Sequence, residues 1–312
     1  MSDIRKCIID KLIHLNEEYS DVYVIAVDSK VSSGLTAFAE KFPQNFIELG
    51  VAEQNAINVA AGIANEGGKV FVFGISTFIL YRAYEQIRSV VAYNNYSVAI
   101  VGMYSGLFYS DQGFTHRQVD DLTTIRGLPN ITAYTPHNKE STQRALECAY
   151  YSQKSAYIRI ENVFSERYLT SFDNHSHMTN QHFSLYGSGG DVLLVSYGLC
   201  VSRCIEASNL LHESGLKCSV LAVGEINHSL SENYINVIRK FKRIVFVEEH
   251  LSHCGVGSMF TQWMAEYKLY NIVLEFIGVS DKYVENMTYE QSLSFYGISP
   301  QCIADKLLTG KY

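Results

Sequence analysis

Glu53 heads the stretch GVAEQNAINVAAGIANEGG (50–68), in which nearly every other position is small, apolar or an amide. A glutamate at a helix start is ordinarily a surface acid favoured by the helix dipole. On these residues alone that reading is the favoured one, but the apolar company raises the question of a second role. A second group lies in MYSGLFYSDQGFTHRQ (103–118), which has no helical period and carries Asp111, Gln112, Gly113, Thr115 and His116. Imidazole exchanges protons near neutral pH, although a loop histidine can equally satisfy a backbone group. Between the two, Phe78, Tyr81 and Tyr84 recur at i, i+3 and i+6, which predicts one helix face; taken alone, such a stripe is ordinarily core.

The elements that would hold these residues read as α/β. Apolar runs at 22–27, 69–74, 97–102, 155–160, 191–198, 217–224 and 243–249 alternate with helical patterns. Strands buried on both faces and separated by helices predict mainly parallel sheets flanked by helices. Ala56, Ile57, Val59, Ala60, Ile63 and Ala64 predict a helix after Glu53, stopped by Gly67-Gly68. The long loop after the run 97–102 would sit at the carboxyl end of a parallel strand, where α/β proteins keep their chemistry. Asn162 to Gly190 is polar and rich in turn formers, so two domains are expected, 1–165 and 189–312, joined by a linker at 166–188.

Composition narrows the class. The 312 residues are 47% hydrophobic and 18% charged, with a net charge of −7 and no basic run, which speaks against a nucleic-acid surface. No apolar stretch reaches the roughly 20 residues of a membrane helix. The opening MSDIRKCIIDKLIHLNEE has helical spacing without a secretory core, as expected for a first helix in a cytoplasmic protein. The seven cysteines form no CxxC pair and are expected as free, buried thiols. His250, His253 and Cys254 lack the second pair a zinc site needs, and His175, His177 and His182 read as a solvated linker. Gly255-Val-Gly257 lacks the third glycine of a dinucleotide loop and predicts a plain strand-to-helix turn. Neither a GxxxxGK[ST] loop nor a GxSxG elbow occurs.

Taken in order, GVAEQN, STF…RAYEQI, GFTHRQVDDL with IRGLPN, and YIRIEN resemble motifs of the transketolase family of thiamine diphosphate enzymes. The resemblance spans the pyrimidine-binding domain and the C-terminal domain of that family. It implies that Glu53 hydrogen-bonds the aminopyrimidine ring of the cofactor and that Phe78, Tyr81 and Tyr84 wall that ring. It further implies that His116, with Asp111 and Gln112, meets the substrate, and that Arg159 and Arg82 meet substrate phosphate. Thiamine diphosphate and Mg²⁺ are the cofactors so implied. In the family, the diphosphate and metal are held by a GDG…N motif in a separate N-terminal domain, and no GDG occurs here. The chain is therefore expected to be half of a split transketolase, moving a two-carbon ketol unit between a ketose and an aldose. The other half is expected on a partner subunit, in a heterotetramer of two of each chain.

Gln112 stands where transketolases carry Asp before the glycine of this block, and Phe114 replaces a proline. Arg82 matches a deoxyxylulose-phosphate synthase arginine only with one inserted residue, and a second such arginine falls near Ser105. These departures leave a modified or nucleotide-linked sugar open as substrate. The alternatives are a β subunit of a 2-oxoacid dehydrogenase, a deoxyxylulose-phosphate synthase-like carboligase, or a non-catalytic assembly partner.

Overall fold

The computed structural model describes residues 4–163, 165, 167, 176–179, 182–187, 189–227, 231–280 and 285–309. The chain divides into two compact units, one formed by 1–105 and 124–170, the other by 106–123 and 171–312. His175 lies outside the described residues.

In the first unit, six strands are β1 (Val22–Ala26), β2 (Phe46–Glu48), β3 (Lys69–Ile75), β4 (Val98–Met103), β5 (Ile131–Tyr134) and β6 (Ser155–Arg159). They pair in the order β5-β6-β4-β3-β1-β2, every neighbour parallel. β1, β3, β4 and β6 are buried almost throughout, as the continuous apolar runs predict. Helices Ile4–Tyr19, Glu53–Asn65 and Lys139–Tyr151 are the long ones of this unit. Glu53–Asn65 buries Ile57 together with Ala56, Ala60 and Ala61, whose small side chains let it lie close to its neighbours. Its end follows the glycine signal: Gly67 has φ +92°, and a Cβ on Gly68 would lie 2.6 Å from Ile63.

The aromatic stripe departs from expectation. The helix from Ser76 stops at Arg82, Ala83 lies outside helical geometry, and the chain resumes as Tyr84–Gln86 and a π-helical turn, Ile87–Ala92. Phe78, Tyr81 and Tyr84 therefore share no continuous face, and Tyr81 is 45% exposed.

The second unit is also a sheet flanked by helices. Its strands run in the order Val273–Val279, Arg243–Leu251, Val192–Ser196, Cys218–Val223, Phe183–Tyr186, Ser176–Thr179. The first three pairings are parallel and the last two antiparallel. The last two strands fall inside the stretch that the sequence reads as the linker. His182 there is no solvated linker residue: its Nδ1 lies 2.7 Å from Glu225 and its side chain is largely buried. The segment 106–123 belongs to this unit although it follows β4 in the chain. Leu107 and Val119 are part of the unit's apolar core with Val247, Val279 and Leu293.

Gly255-Val-Gly257 is the strand-to-helix turn expected. The Glu248 carboxylate accepts hydrogen bonds from the backbone N–H groups of Val256 and Gly257 at the start of helix Val256–Glu266. A Cβ on Gly255 would come within 2.3 Å of that carboxylate, so glycine makes room for the acid. All seven cysteines are free. Burial pushes the Cys7 thiol up to about 11 and the Cys204 thiol up to about 12, so neither ionises near neutral pH.

Candidate functional site

The residues that the sequence singles out as candidates fall into two groups, one in each unit. In the first unit, β2 ends at Glu48, whose Oε1 accepts the N–H of Asp28 at 2.8 Å and of Gly50 at 3.3 Å. Gly50 turns with φ +65°, Ala52 has φ −144° and ψ 58°, and the helix begins at Glu53. Glu53 thus stands in the first helical turn, at the carboxyl end of a parallel strand, where the helix dipole favours a negative charge. It is 7% exposed. Helix Ser76–Arg82 starts directly from the end of β3 and brings two of the expected residues to it. Arg82 Nη1 donates to Glu53 Oε1 at 2.6 Å. The same guanidinium lies over the Phe78 ring, 4.2 Å from its centroid. Tyr84 is half-buried, and its hydroxyl donates to the Thr124 carbonyl at 3.4 Å. Tyr81 and Tyr84 are thus turned to other surroundings than a single stripe would give.

Arg159, at the end of β6, is buried and paired with the equally buried Glu161. The sequence holds no sign of that partner beyond its spacing of two. The neutralised guanidinium is more enclosed than a residue awaiting substrate phosphate need be.

In the second unit, the loop with His116 is closed by a bridge between Gly106 and Gln118. It is fastened to the unit at both ends. The N–H of Leu107 donates to Glu249 Oε2 at 3.0 Å, and the N–H of Leu251 donates to the Val119 carbonyl at 2.7 Å. At the tip, Gly113 has φ +81°, and its carbonyl accepts the N–H groups of His116 and Arg117, both at 3.1 Å. That positive φ calls for glycine, and the Asn286 side-chain amide lies close against the turn. His116 is half-buried, with Nδ1 3.0 Å from the Thr115 hydroxyl and its ring edge-on to Tyr109. Gln112 Nε2 donates to Asp111 Oδ2 at 3.1 Å, and both side chains are exposed.

Several residues that the sequence reading passed over hold this loop. Glu249 is fully buried and also accepts from Arg203 Nη1 at 2.8 Å and from the Tyr289 hydroxyl at 2.7 Å. His250 is fully buried, with Nε2 3.9 Å from Asp121 Oδ1. Arg117, next to His116, is buried, and its Nε and Nη1 have no hydrogen-bond partner among the described residues. Three consecutive ionisable residues, Glu248-Glu249-His250, after the apolar run 244–247 were the signal for this scaffold. Among the described residues, no cluster of three His, Cys, Asp or Glu side chains could hold a metal ion.

Two family models match the chain: residues 1–162 match "Transketolase, pyrimidine binding domain" and residues 184–303 match "Transketolase, C-terminal domain". The chain belongs to the transketolase family. It is 26% identical over 304 residues to an apulose-4-phosphate transketolase subunit of Phocaeicola vulgatus, covering 97% of this chain and 96% of that protein. It is 30% identical over 274 residues to the subunit of the same name from Actinobacillus succinogenes, covering 88% and 86%. The solved structure titled "Split gene transketolase, inactive beta4 tetramer" superposes with a TM-score of 0.82 at 25% identity, covering 98% of this chain and 97% of that one.

This transketolase chain is accordingly a β-type subunit of a split enzyme, a transferase that works with a separate partner subunit. Carboligase and 2-oxoacid dehydrogenase readings are less supported, because transketolase subunits match the chain over most of their own length. The pyrimidine-binding match points to thiamine diphosphate as the cofactor. In the chain, 106–123 lies within the matched pyrimidine-binding stretch, yet it is built into the other compact unit.

Proposed function

We propose that this chain brings to two-carbon ketol transfer the acid that meets the cofactor ring, Glu53, and the histidine that meets the sugar, His116. The observation that carries the reading is the environment of Glu53. A nearly buried carboxylate at a helix start has a flat N–H donor seated on it, and that donor lies over the Phe78 ring. A carboxylate that takes a planar donor beside an aromatic face suits an aminopyrimidine ring, so the residues present fit thiamine diphosphate. When bound, thiamine diphosphate supplies the electron sink for the transfer.

Glu53 would hold and share the proton on the ring nitrogen opposite the amino group. Phe78 would give the ring its stacking face, with Tyr81 and Tyr84 beyond it. His116 would exchange a proton with the substrate hydroxyl next to the bond that breaks and forms, and Thr115 fixes its ring by the contact at Nδ1. Asp111 and the neutral amide Gln112 would hydrogen-bond sugar hydroxyls. Arg82, with 46% of its side chain exposed, is better placed than the enclosed Arg159 to reach a substrate phosphate. The relatives named for apulose-4-phosphate support a sugar phosphate rather than a nucleotide-linked sugar as substrate.

The diphosphate and Mg²⁺ would be held by the partner subunit through its GDG…N motif, with two copies of each chain in the assembly. The free thiols agree with a cytoplasmic setting, and no described helix is long and apolar enough to cross a membrane. Calorimetry tests this division of labour. The chain alone should bind thiamine diphosphate weakly, and the assembled pair tightly in the presence of Mg²⁺. Tight, Mg²⁺-dependent binding to this chain alone contradicts it.

A further inference from the structure

Arg82 is where two expectations meet: the sequence resemblance sends it to substrate, and the structure sends it to Glu53. Its guanidinium is planar, presents N–H groups in that plane, and has a π-face. The chain uses all three properties at once. The hydrogen bond to Glu53 Oε1 is 2.6 Å, and the guanidinium carbon lies over the Phe78 ring, 4.2 Å from its centroid. An aminopyrimidine whose ring nitrogen carries the proton shared with Glu53 would engage the same two side chains through the same properties. We propose that Arg82 is a placeholder: in the chain without cofactor it occupies the seat of the pyrimidine ring on Glu53 and Phe78, and it swings out when that ring enters. This rests on the reading of Glu53 given under Proposed function and adds a resident competitor for its site.

Three features make Arg82 suited to leaving. It is the last residue of helix Ser76–Arg82, and the helix is interrupted at Ala83 immediately after it. Nearly half of its side chain is exposed, against 8% for that of Glu53, so the arginine can return to water while the acid cannot. A half-exposed ion pair is also held only modestly. The contact does two things while it lasts. It neutralises a carboxylate that would otherwise be nearly buried and charged without a cation, and it covers the aromatic face. Displacement would then deliver the guanidinium to the solvent side of the site, where it is free to take an anion such as a sugar phosphate. Cofactor entry and readiness for a phosphorylated substrate would be linked through one side chain.

The test is on the full-length chain with thiamine itself, which carries the aminopyrimidine but no diphosphate, followed by calorimetry or ligand-observed NMR. If the seat is free about a tenth of the time, the apparent affinity is lowered about tenfold, so Arg82→Met should bind thiamine about tenfold more tightly than the native chain. Arg82→Lys keeps the charge but lacks the planar face and should fall between the two. The Arg82 side chain is half-exposed, and unchanged thermal unfolding would confirm that the fold of each variant is intact. Equal or weaker thiamine binding in both variants overturns the placeholder. That failure is distinguishable from failure of the function itself: with Glu53→Gln still inactive in the assembled enzyme, only the role of Arg82 falls. If Glu53→Gln is fully active there, the reading of Glu53 falls, and the placeholder with it.

Discussion

The backbone N–H of Leu107 donates to the carboxylate of Glu249, 142 residues later, and this bond anchors the beginning of the loop that carries His116. Glu249 is held in turn by Arg203 and Tyr289, both within hydrogen-bonding distance of its Oε1. Arg203 and Tyr289 also bond each other at 2.7 Å, closing a three-membered polar network inside an apolar core. A loop with little secondary structure is thereby held by a rigid strand.

Glu249→Ala should therefore be severe. It leaves the buried Arg203 guanidinium without its carboxylate and the Leu107 N–H without an acceptor. Breaking a buried pair by removing one partner costs about 3–5 kcal/mol, so urea unfolding should show a loss of that order. Replacing both Arg203 and Glu249 by Met should be milder than Glu249→Ala, since no unpaired charge remains. A loss below about 1 kcal/mol in Glu249→Ala would mean that water satisfies the network.

His137 gives the fold an acid sensitivity of its own. Burial, with the Arg144 charge adding to it, lowers its pKa from an ordinary 6.5 to about 3. The ring is neutral in the fold, while the unfolded chain takes up a proton below about pH 6.5. Stability from this residue is thus complete above pH 6.5 and is lost as the pH falls toward about 3. The slope is at most one proton, about 1.4 kcal/mol per pH unit. Denaturant unfolding between pH 6.5 and 4 should show that slope reduced by nearly one proton in His137→Gln. An unchanged slope means that His137 is protonated in the fold.

Much of the scaffold was legible in the sequence because the buried strands are unbroken apolar runs. Val22–Ala26, Lys69–Ile75, Val98–Met103 and Arg243–Leu251 all fall where the runs predict them. The strands that went unread are short or lie at an edge. Phe46–Glu48 has three residues, none of them fully buried, and Val273–Val279 is an edge strand with only two buried positions. The break at Ala83 carries neither proline nor glycine, so nothing local announced it. Glu53 could be singled out from its neighbours, and its motif implied the role proposed for it. Its pairing with Arg82, 29 residues on, could not be read, nor could the membership of 106–123 in the second unit. Both are decided by contacts between residues far apart in the chain.

His116 should matter to the sugar and not to the cofactor. In the assembled enzyme, His116→Ala should lower ketol transfer by about 10²–10⁴-fold, the range for losing a positioned acid–base group. Hydrogen–deuterium exchange at the thiazolium carbon of bound thiamine diphosphate should change little. Should exchange fall as far as transfer, His116 serves the cofactor or the fold, and its substrate role is wrong.

Turnover of Glu53→Gln in the complex with the partner subunit is the most direct measurement of the central claim, that this chain supplies the acid that meets the cofactor ring. Glutamine keeps the size of the side chain and one hydrogen bond but cannot share the proton. Assembly should be unchanged by sedimentation, while transfer and thiazolium-carbon exchange should both fall, transfer by about 10²–10⁴-fold. Near-native transfer with Gln at position 53 would contradict the assignment.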